Sequence, residues 1–150
     1  MPSMNRRELL VAGSGALAAL AGCSAFAESE PLNQVEVQNF SQQFRRFRIT
    51  VSNDQDSALY DETFSLEARM IEEDTEPFAG TPARITITVD GGEPIETDWP
   101  SRITEIRNGS QVRHVGGSCG STGGETVTGV FVYVSGPDLV SLRPTCGTVG

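Results

Sequence analysis

Residue types able to carry chemistry are scarce in this 150-residue chain. It has one histidine, His114, and three cysteines, Cys23, Cys119 and Cys146, set among twenty acidic residues. A blue-copper site needs two imidazoles and a thiolate, and a single histidine cannot supply them. Zinc is also short of ligands, because Cys119, Cys146 and His114 make three at most and lack Cys-x-x-Cys spacing. No metal or other cofactor is therefore expected. A Ser-His-Asp arrangement would have to use His114, but no Gly-x-Ser-x-Gly frame presents a nucleophile. The nearest string, GGSCGSTGG at 116–124, has glycines suited to a turning loop, and without a following Gly-Lys-Ser/Thr it is no phosphate cradle. Two acidic clusters, Glu72, Glu73, Asp74 and Glu76, and Asn53, Asp54 and Asp56, offer oxygens to calcium but do not match an EF-hand loop. They read as solvated loops, and His114 reads as a surface residue. The expectation is a protein that is not an enzyme.

The N-terminus is more specific. Leu9 to Ala21 is apolar but short of the roughly twenty residues that span a bilayer, and it has no polar face that would suit a core helix. Basic residues, a short apolar run and a small-residue exit have the layout of an export signal. Arg6 and Arg7, followed by Glu8, Leu9 and Leu10, resemble the twin-arginine export motif, with Asn5 and Leu9 departing from its usual residues. Leu20-Ala21-Gly22-Cys23 resembles a lipobox. That resemblance implies a glycerolipid on the Cys23 thiol and removal of residues 1–22 as a signal peptide. The expected location is the extracytoplasmic face of the cell membrane, held there by the lipid at about 0.8 kcal/mol per buried CH₂. With Cys23 so used, Cys119 and Cys146 remain, and in an exported chain such a pair is expected to be a disulfide. Closing that loop is worth about 3.5 kcal/mol on chain-entropy grounds.

The formal charge is −9 and the pI about 4.5, and all eleven basic residues are arginine. Such a chain repels nucleic acid and anionic lipid headgroups, so neither is an expected partner. Acid-rich, lysine-free composition resembles proteins of extreme halophiles, where screening over about 3 Å at molar salt makes the self-repulsion inexpensive. Residues 23–33 read as a short lipidated tether, and 34–150 as one domain.

That domain alternates in the period-2 manner of strands. In FRRFRITVSN, Phe47, Ile49 and Val51 point one way and Arg46, Arg48 and Thr50 the other. Val35 and Val37, then Ile85, Ile87 and Val89, then Val130, Val132 and Val134 behave likewise, the last with Phe131 and Tyr133 on the opposite face. The segment 58–66 reads as two apolar pieces broken at Asp61-Glu62, and 72–82 as a loop. Asp90-Gly91-Gly92 and Asn108-Gly109 are turn signals. Seven to nine short strands with turns between them point to an all-β fold, an antiparallel immunoglobulin-like β-sandwich. The signal with its lipobox, RFRITVSNDQDSALYDETFSL, ITITVDGG and the late cysteine pair resemble haloarchaeal secreted lipoproteins with an immunoglobulin-like domain, a family that implies a fold and an address. Two Asn-x-Ser sequons, at Asn108 and Asn39, are candidate N-glycosylation sites on an exported protein. Trp99, the only tryptophan, reads as core packing, and a lone aromatic makes no sugar-binding platform. The functional expectation is a lipid-anchored surface domain with a structural or binding role toward a cell-envelope protein or small ligand. The alternative is an accessory sugar- or ion-binding lipoprotein serving a transporter.

Overall fold

The computed structural model describes residues 30–73, 75–119 and 125–148. From Pro31 onward these fall in a single unit, Pro31–Gly150. Among the described residues eleven strands are present: β1 Leu32–Asn39, β2 Arg45–Ser52, β3 Ala58–Leu66, β4 Ile71–Glu72, β5 Phe78–Ala79, β6 Arg84–Val89, β7 Ile95–Asp98, β8 Arg102–Arg107, β9 Gln111–Ser118, β10 Glu125–Gly136 and β11 Leu139–Thr148. They build two sheets. The larger runs β4-β1-β10-β11-β8-β9 with β5 also on β1, and the smaller runs β3-β2-β6-β7. The fold is thus an all-β sandwich. All pairings are antiparallel except β1 with β10, which lie parallel in the register Val35–Val130, Val37–Val132.

The alternation explains the two layers. Phe47, Ile49 and Val51 of β2 and Ile85, Ile87 and Val89 of β6 are buried against Val35, Val37, Val130, Val132, Val134, Val140 and Leu142 of the larger sheet. Each such side chain taken from water contributes about 1.5–3 kcal/mol, and together they form one buried cluster. Gly129 serves a close approach inside this packing: a Cβ there would sit 2.3 Å from Gln34 O on β1 and 2.7 Å from Thr145 Oγ1 on β11. The turns are also chemically matched. Asp90 and Gly91 have φ of 51° and 71°, and Asn108 and Gly109 have 51° and 75°, the paired left-handed residues of tight hairpins.

Three details differ from the sequence reading. β3 is continuous through Asp61 and Glu62, because it is an edge strand whose acids face water and Asp61 is held by the Arg48 guanidinium. The acidic stretch after Ile71 is not wholly loop, since β4 and β5 cover the free edge of β1 and bury Phe78. Two-residue pairings carry no period and so leave no trace in a sequence. Strand structure also begins at Leu32, inside the expected tether, where the Asn33 amide donates to Gly80 O at 2.9 Å.

Candidate functional site

The two sheets are unequal in width, and the mismatch creates a concave surface. His114 on β9 lies opposite Thr104 on β8, and Val112 lies opposite Ile106. Thr104 and Ile106 are buried while Val112 is 47% exposed. The inner face of β9 therefore overhangs the smaller sheet, which ends at β7. The chain crosses between sheets at Trp99-Pro100-Ser101, and a cleft of about 590 Å³ lies in that corner. Arg84, Glu96, Asp98, Trp99, Arg102 and His114 line it.

The polar groups of this cleft are partly oriented. Thr104 Oγ1 donates to Arg102 O at 3.0 Å. The same hydroxyl lies 3.1 Å from His114 Nδ1 and so holds the ring in place. Arg84 reaches Asp56 at 2.8 Å through one nitrogen only. Trp99 is partly buried, its ring edge-on to Phe78 with centroids 6.1 Å apart, so the expectation of core packing holds for one side of the indole while another borders the cleft.

A second surface lies on the outer face of the larger sheet. Phe131 and Tyr133 stack with centroids 4.6 Å apart, Phe40 meets Tyr133 edge-on at 6.5 Å, and the guanidinium of Arg143 lies 5.6 Å from the Tyr133 ring. Arg69 sits over Phe40 at 4.9 Å. Phe40, Met70 and Ile71 are each more than two-fifths exposed. Alternation on β10 assigns Phe131 and Tyr133 outward, but the joining of Phe40 and Arg69 to them depends on how β1 and the chain after β3 are placed, which no local pattern encodes.

The other expected site residues fall as follows. Cys119 and Cys146 form a disulfide with Cα atoms 5.5 Å apart. It ties the chain just after β9 to β11 beyond the start of β8, next to the irregular part of the β8–β9 register. Asn108 is exposed at its hairpin tip. Asn39 requires a correction as a glycan acceptor: it is fully buried, its Nδ2 donating to Gln43 O, Leu66 O and Glu67 O at 2.8–3.1 Å and its Oδ1 accepting from Ser41 N and Ser41 Oγ. In the folded domain that nitrogen is already used as a tie between the ends of β1 and β3. Asn53 closes its own turn on Gln55 and Ser57, and Asp56 is paired with Arg84. Among the described residues no three metal-ligating side chains cluster. Arg6, Arg7, Cys23 and Asp74 lie outside the described residues.

Among titrating groups, the Arg46 backbone N–H and then the Arg45 guanidinium hold the Asp90 carboxyl below its ordinary range. Arg48 does the same to Asp61. Burial, helped by Glu73, raises Glu36, and burial raises the Tyr60 phenol. None of these groups lines the cleft. Compared with protein-family models, with curated proteins and with solved structures, the chain matches none.

Proposed function

We propose that this chain is an exported, lipid-anchored domain of the extracytoplasmic membrane face that binds a partner rather than catalysing a reaction. The observation that carries the reading is the Cys119–Cys146 disulfide, since such bonds form and persist outside the reducing cytoplasm. It joins the Arg6-Arg7 and Leu20–Cys23 signals in supporting export, and it leaves Cys23 as the one cysteine for lipid. The continuous buried core supports a domain that works through its surface, and the Phe40–Tyr133–Arg143 face suits contact with a cell-envelope protein. The cleft at His114 favours a second reading, an accessory lipoprotein that presents a small ligand to a transporter, because donors and acceptors converge there.

The test is the mature chain itself. Its N-terminus should be a lipid-modified Cys23 by mass spectrometry, and it should partition into detergent. Cys23→Ala should shift it to the aqueous phase. A soluble mature product beginning elsewhere would refute the anchor. Cys119 and Cys146 should resist alkylation until reductant is added, and two free thiols in the isolated protein would remove the observation on which export rests.

A further inference from the structure

We infer that the cleft between β7 and β9 is a binding site for a neutral polyhydroxylated ligand, of the chemical class of a monosaccharide or a sugar-chain terminus. This rests on the binding role above and deepens its small-ligand form by naming the ligand class and the site. Three observations carry it.

The first is shape. The overhang of β9 beyond β7 leaves about 590 Å³ walled by both sheets, within the roughly 300–1,000 Å³ of small-ligand sites. The overhang is a consequence of topology, five long strands facing four, and is not a surface ripple.

The second is charge balance. Arg84 and Arg102 line the cleft together with Glu96 and Asp98, Arg84 and Asp98 being cross-strand neighbours on β6 and β7, so on a chain of net charge −9 its lining carries equal numbers of guanidinium and carboxylate groups. A free anion meets two carboxylates and a free cation meets two guanidiniums, so neither is selected. A hydroxyl both donates and accepts, and vicinal hydroxyls match paired carboxylate oxygens and paired guanidinium N–H groups. His114 adds an imidazole held at Nδ1 by Thr104, which leaves Nε2 for a ligand hydroxyl that can donate or accept.

The third is the indole of Trp99. Alone it makes no platform, but beside these polar groups it supplies one rigid apolar wall, which the C–H face of a pyranose can meet. Its orientation is set by Phe78 and by the backbone bond from Trp99 N to Ala83 O at 2.8 Å, so the surface is prepared before a ligand arrives. Because each protein–ligand hydrogen bond replaces one to water, a single sugar ring should bind with Kd of about 1–10 mM.

The chain's only tryptophan and only histidine both line this cleft, so each reports on it without assignment. The folded, disulfide-intact protein is titrated in molar KCl with D-glucose, D-mannose, N-acetylglucosamine and D-glucuronate. At least one neutral sugar should change Trp99 emission saturably and shift the His114 ring protons in the same concentration range. Asp98→Asn and Arg102→Gln, both at exposed side chains, should raise Kd tenfold or more while circular dichroism is unchanged. Absence of both signals with all three neutral sugars at 100 mM would overturn the inference. So would a response to glucuronate alone, which would make this an anion site, or full binding retained in the Asp98→Asn/Arg102→Gln double variant. The anchor is read by mass spectrometry and partitioning, so either conclusion can fail without the other.

Discussion

Tyr60 occupies the core beneath β3 with a group that the core does not satisfy. It is 8% exposed, its ring lies 5.2 Å from that of Phe78, and its hydroxyl oxygen has no hydrogen-bond partner among the described residues. Tyr60→Phe keeps the ring and its stacking while removing that hydroxyl. An unpaired buried hydroxyl costs roughly 1–3 kcal/mol, so the variant should be more stable at pH 7 by about 1 kcal/mol. For a domain of this size that is a rise in Tm of about 3–5 °C. The advantage should also depend on pH with a definite sign. Burial, with Glu62 and Glu72 nearby, raises the phenol above its ordinary value. The folded state therefore stays protonated where the unfolded chain ionises. Stability from this group is complete below pH about 10 and is lost as pH rises toward the folded pKa. At pH 11 the wild type should be penalised by about a further 1.4 kcal/mol, and Tyr60→Phe should escape it. Chemical denaturation at pH 7, 9 and 11, with the disulfide intact, measures both effects. A loss of 1 kcal/mol or more in Tyr60→Phe at pH 7 would show that the hydroxyl has a partner. A difference that fails to grow between pH 9 and 11 would show that the phenol is not shielded.

Asn39→Ala should destabilise the domain by roughly 3 kcal/mol, since it leaves buried groups at Ser41, Gln43 and Leu66 without their partner, and a urea titration reads the loss. Intact-mass mapping should place any glycan at Asn108 and none at Asn39. Gly129→Ala should cost about 1–3 kcal/mol or more, because its methyl meets Gln34 O backbone that cannot move without parting β1 from β10; thermal unfolding tests it. Asp90→Asn should be less stable than wild type at pH 7 and equal to it in strong acid. A depressed carboxyl adds stability above its unfolded pKa of about 3.9 and loses it as pH falls through the folded value. Asparagine tolerates the φ of 51° at this position, so the substitution isolates the charge held by Arg45 and the Arg46 amide.

Much of this fold was legible because a strand with one buried face writes itself into the sequence with period 2. Phe47-Ile49-Val51, Ile85-Ile87-Val89 and Val130-Val132-Val134 each point inward as their alternation requires, and the Asp90-Gly91 and Asn108-Gly109 turns are set by residues that accept positive φ. Local sequence was silent where meaning depends on a distant neighbour. The Asn39 sequon is indistinguishable by pattern from the one at Asn108, yet three carbonyls from later turns consume its amide. Phe78 sits in an acidic stretch with no period, and only the positions of Tyr60 and Trp99 make it core.

The sequence alone thus determined the alternating strands, their turns and the acidic surface, because each follows from residue type or spacing, and it left Cys119 and Cys146 as the expected pair once Cys23 is assigned to lipid. Tertiary structure alone decided that β1 runs parallel to β10, that β9 overhangs β7, and that His114, Trp99, Arg102 and Asp98 share one cleft. Those facts arise from the order in which strands join across two sheets. That order is selected by the packing of whole faces, a sum over many contacts far apart in the chain that no short stretch records.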